Sequence, residues 1–191
     1  MLYVVKTPVI LIVMALLAVV NIFAFNFNVL IPLYARSVFK IGAQGFGVLM
    51  ATNGIGAVLG SIILAAHSGD KRQQPKRIVL AAGCMCIFEL LMVPVHSQLL
   101  AILLLALVGF SMIAFTTSVN SLIQVQTLDN IRGRVMSIYT LVFMGLSPIG
   151  NFFSGWAAHI WNAPVSLGLG AVISLGFIIL LIIRYPRNLF S

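Results

Sequence analysis

Six apolar runs, each long enough to cross a hydrocarbon core as a helix, decide what this chain can fold into. A bilayer core is about 30 Å thick and takes about 20 helical residues to span. The runs fall at about 8–34, 44–67, 77–95, 99–127, 131–161 and 164–183, with short connections between them. This pattern predicts an all-α, polytopic membrane protein: one six-helix transmembrane bundle over residues 1–191, with neighbouring helices antiparallel. Composition agrees, because a chain with 61% hydrophobic and 7% charged residues cannot cover a soluble core with polar groups. A signal-peptide reading of the first run fails on length, since such cores hold roughly 7 to 15 apolar residues.

Charge could point elsewhere. The chain carries 11 Lys and Arg against 3 acids, a balance that in a soluble protein suggests a nucleic-acid partner. Their placement argues against nucleic acid. With the amino terminus cytoplasmic, that side receives Lys6, Lys71, Arg72, Lys76, Arg77, Arg132, Arg134, Arg184 and Arg187, and the opposite side only Arg36 and Lys40. A split of 9 to 2 over alternating loops follows the positive-inside rule, puts both termini in the cytoplasm and would be scrambled by losing one helix.

The densest stretch is DNIRGRVMSIYTLVFMGLSPIGNFFSG, residues 129–155. Arg132 and Arg134 sit at the amino end of a helix, where positive charge opposes the macrodipole. Asp129 is placed to cap that helix and offset part of the cost. The remainder is met either by an acidic group from elsewhere or by anionic headgroups. Gly145, Pro148, Gly150 and Gly155 then allow bending and close packing. Small residues also mark contacts at Gly56 and Gly60, preceded by Thr52, and at Ser166, Gly170 and Ser174.

Polar residues inside the spans suggest a cavity. Thr116, Asn120 and Gln124 repeat at helical spacing, and Asn21 and Asn28 lie a heptad apart with Asn26 on another side. These residues either line a substrate pathway or staple helices together. Glu89, about 18 Å along its helix from Arg77, is the only acid within a span and a candidate proton site. Cys84 and Cys86 point to different faces, His67, His96 and His159 share no ligand spacing, and no nucleophile or metalloprotease motif occurs. The chain therefore predicts no metal, no cofactor and no enzymatic site.

The succession of Gly69-Asp70-Lys71-Arg72, two helices, Arg132-Gly-Arg-Val-Met-Ser137 and Gly145-Leu-Ser-Pro-Ile-Gly150 resembles the carboxy-terminal half of a major facilitator superfamily transporter. Within that superfamily it is most similar to the branch of enterobactin and macrolide exporters, although Gln73, Gln74 and Pro75 stand where members more often have Gly and Arg. The resemblance implies alternating access and proton-driven efflux of a small molecule across a bacterial inner membrane. It implies a pathway along the first and fourth helices, at Asn21, Asn28, Thr116, Asn120 and Gln124. It also implies a cytoplasmic gate of Asp70, Lys71, Arg72, Asp129, Arg132 and Arg134 that meets an amino-terminal half, in a longer polypeptide or on a separate chain. The alternative is a half-transporter kept as a non-transporting interaction or regulatory protein. The orientation is tested with Lys40→Cys and Arg184→Cys: an impermeant maleimide should label the first in intact cells and the second only after permeabilisation. The reverse order would overturn the charge argument.

Overall fold

The computed structural model describes residues 7–66 and 74–185, and among them all regular secondary structure is helical. The helices are α1 (Pro8–Phe23), α2 (Phe27–Ser37), α3 (Ala43–Ala66), α4 (Gln74–Met92), α5 (Gln98–Gln126), α6 (Arg132–Gly145), α7 (Ser147–Ile160) and α8 (Ala163–Arg184). Two of the six apolar runs are thus interrupted. The first, expected as one helix over 8–34, is α1 followed by α2, and the fifth, expected over 131–161, is α6 followed by α7. Counting each interrupted run as one span, five are long and apolar enough to cross a membrane. The remaining run, α4, carries Lys76, Arg77 and Glu89, and packs along α5 and α8. The chain is a polytopic integral membrane protein.

Asparagine chemistry accounts for the first interruption. Val20 O accepts from both Ala24 N (2.8 Å) and Phe25 N (3.0 Å), and Asn26 N turns to Ala24 O (2.9 Å), so Ile22 O has no amide partner in the helical ladder. The Asn26 side chain fills that role, donating Nδ2 to Ile22 O at 2.7 Å. Asn26 O then accepts from Val29 N and Leu30 N and starts α2. The break also undoes the heptad register of the first run: Asn21 is buried, whereas Asn28 is exposed. The second interruption falls at Leu146, with Pro148 in the first turn of α7, where its missing N–H takes one donor from the ladder.

Helix α1 lies at the centre, against α5, α6, α7 and α8, while α5 takes α3 on one side and α4 on the other. Lipid offers helices no hydrophobic reason to associate, so close backbone approach has to supply packing. Gly56 lies against the Ala106 carbonyl and Gly109 against the Asn53 carbonyl, so a Cβ at either would strike backbone. Asn53 Nδ2 adds a 3.4 Å bond to Leu105 O across the same pair. At Gly60 a Cβ would come within 2.9 Å of Phe110 O. The break in the first run is gripped in the same way. Gly170 of α8 lies against Phe23 O, and a Cβ at Gly150 of α7 would sit 2.7 Å from both Ile22 O and Asn26 Oδ1. Gly145 and Gly155 make no such approach: a Cβ there would meet only side chains, Leu141 at 3.4 Å and Val29 at 3.9 Å. On α8, Ser166 and Ser174 are buried on the Gly170 face, with Ser166 Oγ donating to Ser154 O at 2.9 Å.

Gly56→Leu and Gly109→Leu should each overpack the α3–α5 contact, costing about 1–3 kcal/mol and lowering membrane abundance. Gly54→Leu enters open space and should leave thermal melting in detergent unchanged. Equal melting of all three variants would refute the account of this contact.

Candidate functional site

A cleft of ≈ 500 Å³ opens between α5 and α6. Met112, Ile113, Thr116, Thr117 and Asn120 form the α5 wall, and Tyr139 and Phe143 form the α6 wall. Their spacing puts each set on one helical face. The Tyr139 and Phe143 rings are parallel, with centroids 6.0 Å apart and planes 2° from each other. Phe25, in the break between α1 and α2, meets Phe143 edge-on at 6.1 Å and Phe115 at 5.9 Å. The broken first helix therefore braces the aromatic wall from behind.

Asn21 takes part without lining the cleft. Its Nδ2 donates to Phe143 O at 2.8 Å, tying α1 to α6 near the end of α6. Thr116 Oγ1 donates back to Met112 O at 3.0 Å, and its lone pairs stay available as acceptors. Asn120 Oδ1 accepts from Gln124 Nε2, which leaves the Asn120 amide hydrogens as donors. Gln124 itself is exposed and lies off the lining, as does Asn28. An aromatic and aliphatic cleft with a few placed polar groups suits a small, mainly apolar molecule.

Below Asn120 the charges are arranged differently from the sequence-based expectation. The N-cap of α6 is Ile131, and Asp129 makes no cap bond; it instead pairs with Arg132 three residues on. Arg132 reaches back to the end of α5, with Nε on Gln124 O at 3.3 Å and Nη2 on Thr127 O at 3.5 Å. Positive charge that would oppose the α6 dipole thus sits at the carboxyl end of α5, where it is favourable. Arg134 is exposed, with no ion pair or hydrogen bond among the described residues. Asp70, Lys71, Arg72 and His67 lie outside the described residues.

Glu89 is fully buried on α4, and neither of its carboxyl oxygens has a hydrogen-bond partner among the described residues. The Tyr34 hydroxyl, within electrostatic reach, is also buried without a partner. Neither residue lines the α5–α6 cleft. Cys84 is exposed and Cys86 buried, His96 turns its Nδ1 to Pro94 O at 3.0 Å, and His159 is exposed.

Tyr139, Phe143 and Phe25 belong to the site although sequence reasoning passed over them. Their signal was the i, i+4 aromatic pair just after the Arg-Gly-Arg turn. The sequence profile of a family described as transmembrane secretion effector matches residues 1–188. Neither a curated protein nor a solved structure gives a match. The charge arrangement makes its own prediction: Arg132→Met should destabilise the protein by about 1 kcal/mol, since the bonds it loses are half-exposed. Arg134→Met should melt like wild type, and equal effects of the two substitutions would contradict the placement of Arg132 on α5.

Proposed function

The chain belongs to the transmembrane secretion effector family of major facilitator proteins, a family of transporters, and from that membership we propose that it is the carboxy-terminal half of a small-molecule exporter working by alternating access. The observation that carries this reading is the α5–α6 cleft, where Thr116 and Asn120 face the Tyr139 and Phe143 rings. Its lining carries no charged side chain, which favours an uncharged or weakly polar substrate held near the midplane. Thr116 accepts and Asn120 donates hydrogen bonds to that substrate; Gln124 orients Asn120, and Asn21 fixes the aromatic wall through Phe143.

In this reading the protein resides in a bacterial inner membrane with both termini cytoplasmic, and an amino-terminal six-helix half closes the cleft. Arg134, at the entrance of α6, meets an acidic cytoplasmic loop of that half, and Asp70 with Lys71 and Arg72 forms a charge lock with another cytoplasmic element. Efflux is driven by protons, with Glu89 as the carboxyl that carries them. The interruptions at Ala24–Asn26 and at Leu146 give the two long spans points at which to bend as the halves rock.

Accumulation of fluorescent efflux substrates, compared in cells carrying this chain alone and cells carrying it with an amino-terminal half, tests the proposal. Export should need both halves, and Asn120→Leu should cut it about tenfold, as for one lost buried hydrogen bond, with membrane abundance unchanged. Full export from the chain alone would overturn the half-transporter reading. Normal abundance without export in either case would favour a regulatory protein.

A further inference from the structure

A second cavity lies on the opposite side of α5 from the proposed substrate cleft. Helices α3 and α4 both pack against α5, and a groove of ≈ 350 Å³ runs between them. Ile63 and Leu64 of α3 face Leu80 and Phe88 of α4 across a floor that includes Phe110 and Ala114 of α5. Leu80 and Ile63 are 65% and 49% exposed, so the groove opens sideways toward the hydrocarbon. At one end it changes character. Leu64, Arg77 and Ser118 also line an adjoining space of ≈ 160 Å³, whose other walls include Thr117 and Ser121.

Length and charge together indicate an occupant. From Arg77 to Phe88 the groove follows α4 for 11 residues, about 16 Å at 1.5 Å per residue. Half of a hydrocarbon core of about 30 Å is nearly the same distance. The polar end thus lies at headgroup depth when the apolar end reaches the midplane. A guanidinium carries five N–H donors in a fixed fork that matches phosphate oxygens, so it can hold a phosphate beside another partner. Lys76, exposed beside Arg77, adds positive charge at the same level.

We propose that this groove binds one anionic phospholipid from the leaflet at the Arg77 end, with its phosphate on Arg77 and one acyl chain lying between α3 and α4 as far as Phe88. The second acyl chain stays in the bilayer. Such a lipid joins two helices that meet mainly through α5, and its binding is independent of what the α5–α6 cleft transports.

The test uses the full chain, delipidated in non-ionic detergent and offered phosphatidylglycerol or phosphatidylcholine bicelles, with bound lipid counted by native mass spectrometry. One phosphatidylglycerol should be retained with about a fivefold preference over phosphatidylcholine, the factor that one basic residue supplies at an anionic surface. Arg77→Gln should abolish the preference, and Arg77→Lys should keep most of it. A wild-type protein that retains both lipids equally, or an Arg77→Gln protein that keeps the preference, overturns the proposal. A second measurement needs no variant. Cys84 lines the groove and is exposed, whereas Cys86 is buried, so phosphatidylglycerol should slow modification of Cys84 by a membrane-soluble maleimide. Unchanged reactivity, or equal protection by inorganic phosphate alone, overturns the placement of the acyl chain.

Discussion

A bilayer core has no water to satisfy a carbonyl released from a helical ladder, so any interruption of a spanning helix has to be repaired by the protein itself. The repair at Ile22–Asn26 is the contact on which the rest of this bundle depends. Asn26 restores a donor to Ile22 O, and the exposed backbone around it becomes the surface that Gly150 and Gly170 press against. One defect thereby fixes the approach of α7 and α8 to the central helix. The residue between the two half-helices, Phe25, supports the aromatic wall of the cleft. Fold and site therefore share a single origin in three residues of sequence.

The cleft is also joined to the charged end of the molecule by unbroken contacts. Asp129 pairs with Arg132, Arg132 bonds the Gln124 carbonyl, Gln124 donates to Asn120, and Asn120 lines the cleft. Arg132 meets the main-chain carbonyl of Gln124 and the Gln124 side chain meets Asn120, so the two contacts share a residue at the end of α5 and not a group. Asn21 makes a second link, from the central helix to Phe143, so both walls of the cleft are held from outside it.

Much of the architecture was legible because it rests on length and composition. The apolar runs and their short connections sufficed to define an all-helical membrane protein, and the small residues at Gly56 and Gly170 carried the spacing of close helix contacts. What escaped was local competition for backbone hydrogen bonds. Asn26 looks like one more polar residue in an apolar run, and only the geometry of Val20 O and Ala24 O shows that it ends a helix. Heptad spacing then joined Asn21 to Asn28 across a helix that does not continue. Asp129 had the residue type of a cap, yet a nearby guanidinium outcompeted the backbone amides for it. Thr116 and Asn120 do face the cleft, whereas Tyr139 and Phe143 went unread because aromatic residues in an apolar helix are ordinary core material until a partner wall is known.

The glycine contacts bring backbone against backbone, and what they require of the sequence is an absence. Where Gly56 meets Ala106 and Gly109 meets Asn53, a glycine α-hydrogen, standing where any other residue carries Cβ, lies against a carbonyl that every residue possesses. Outward-facing positions such as Ile55, Leu103 and Ile179 have only to be apolar. The information that defines this bundle is thus concentrated in a handful of positions where nothing larger fits, and most of the remaining surface is free to drift. Two chains can share this architecture while agreeing at little more than those empty places.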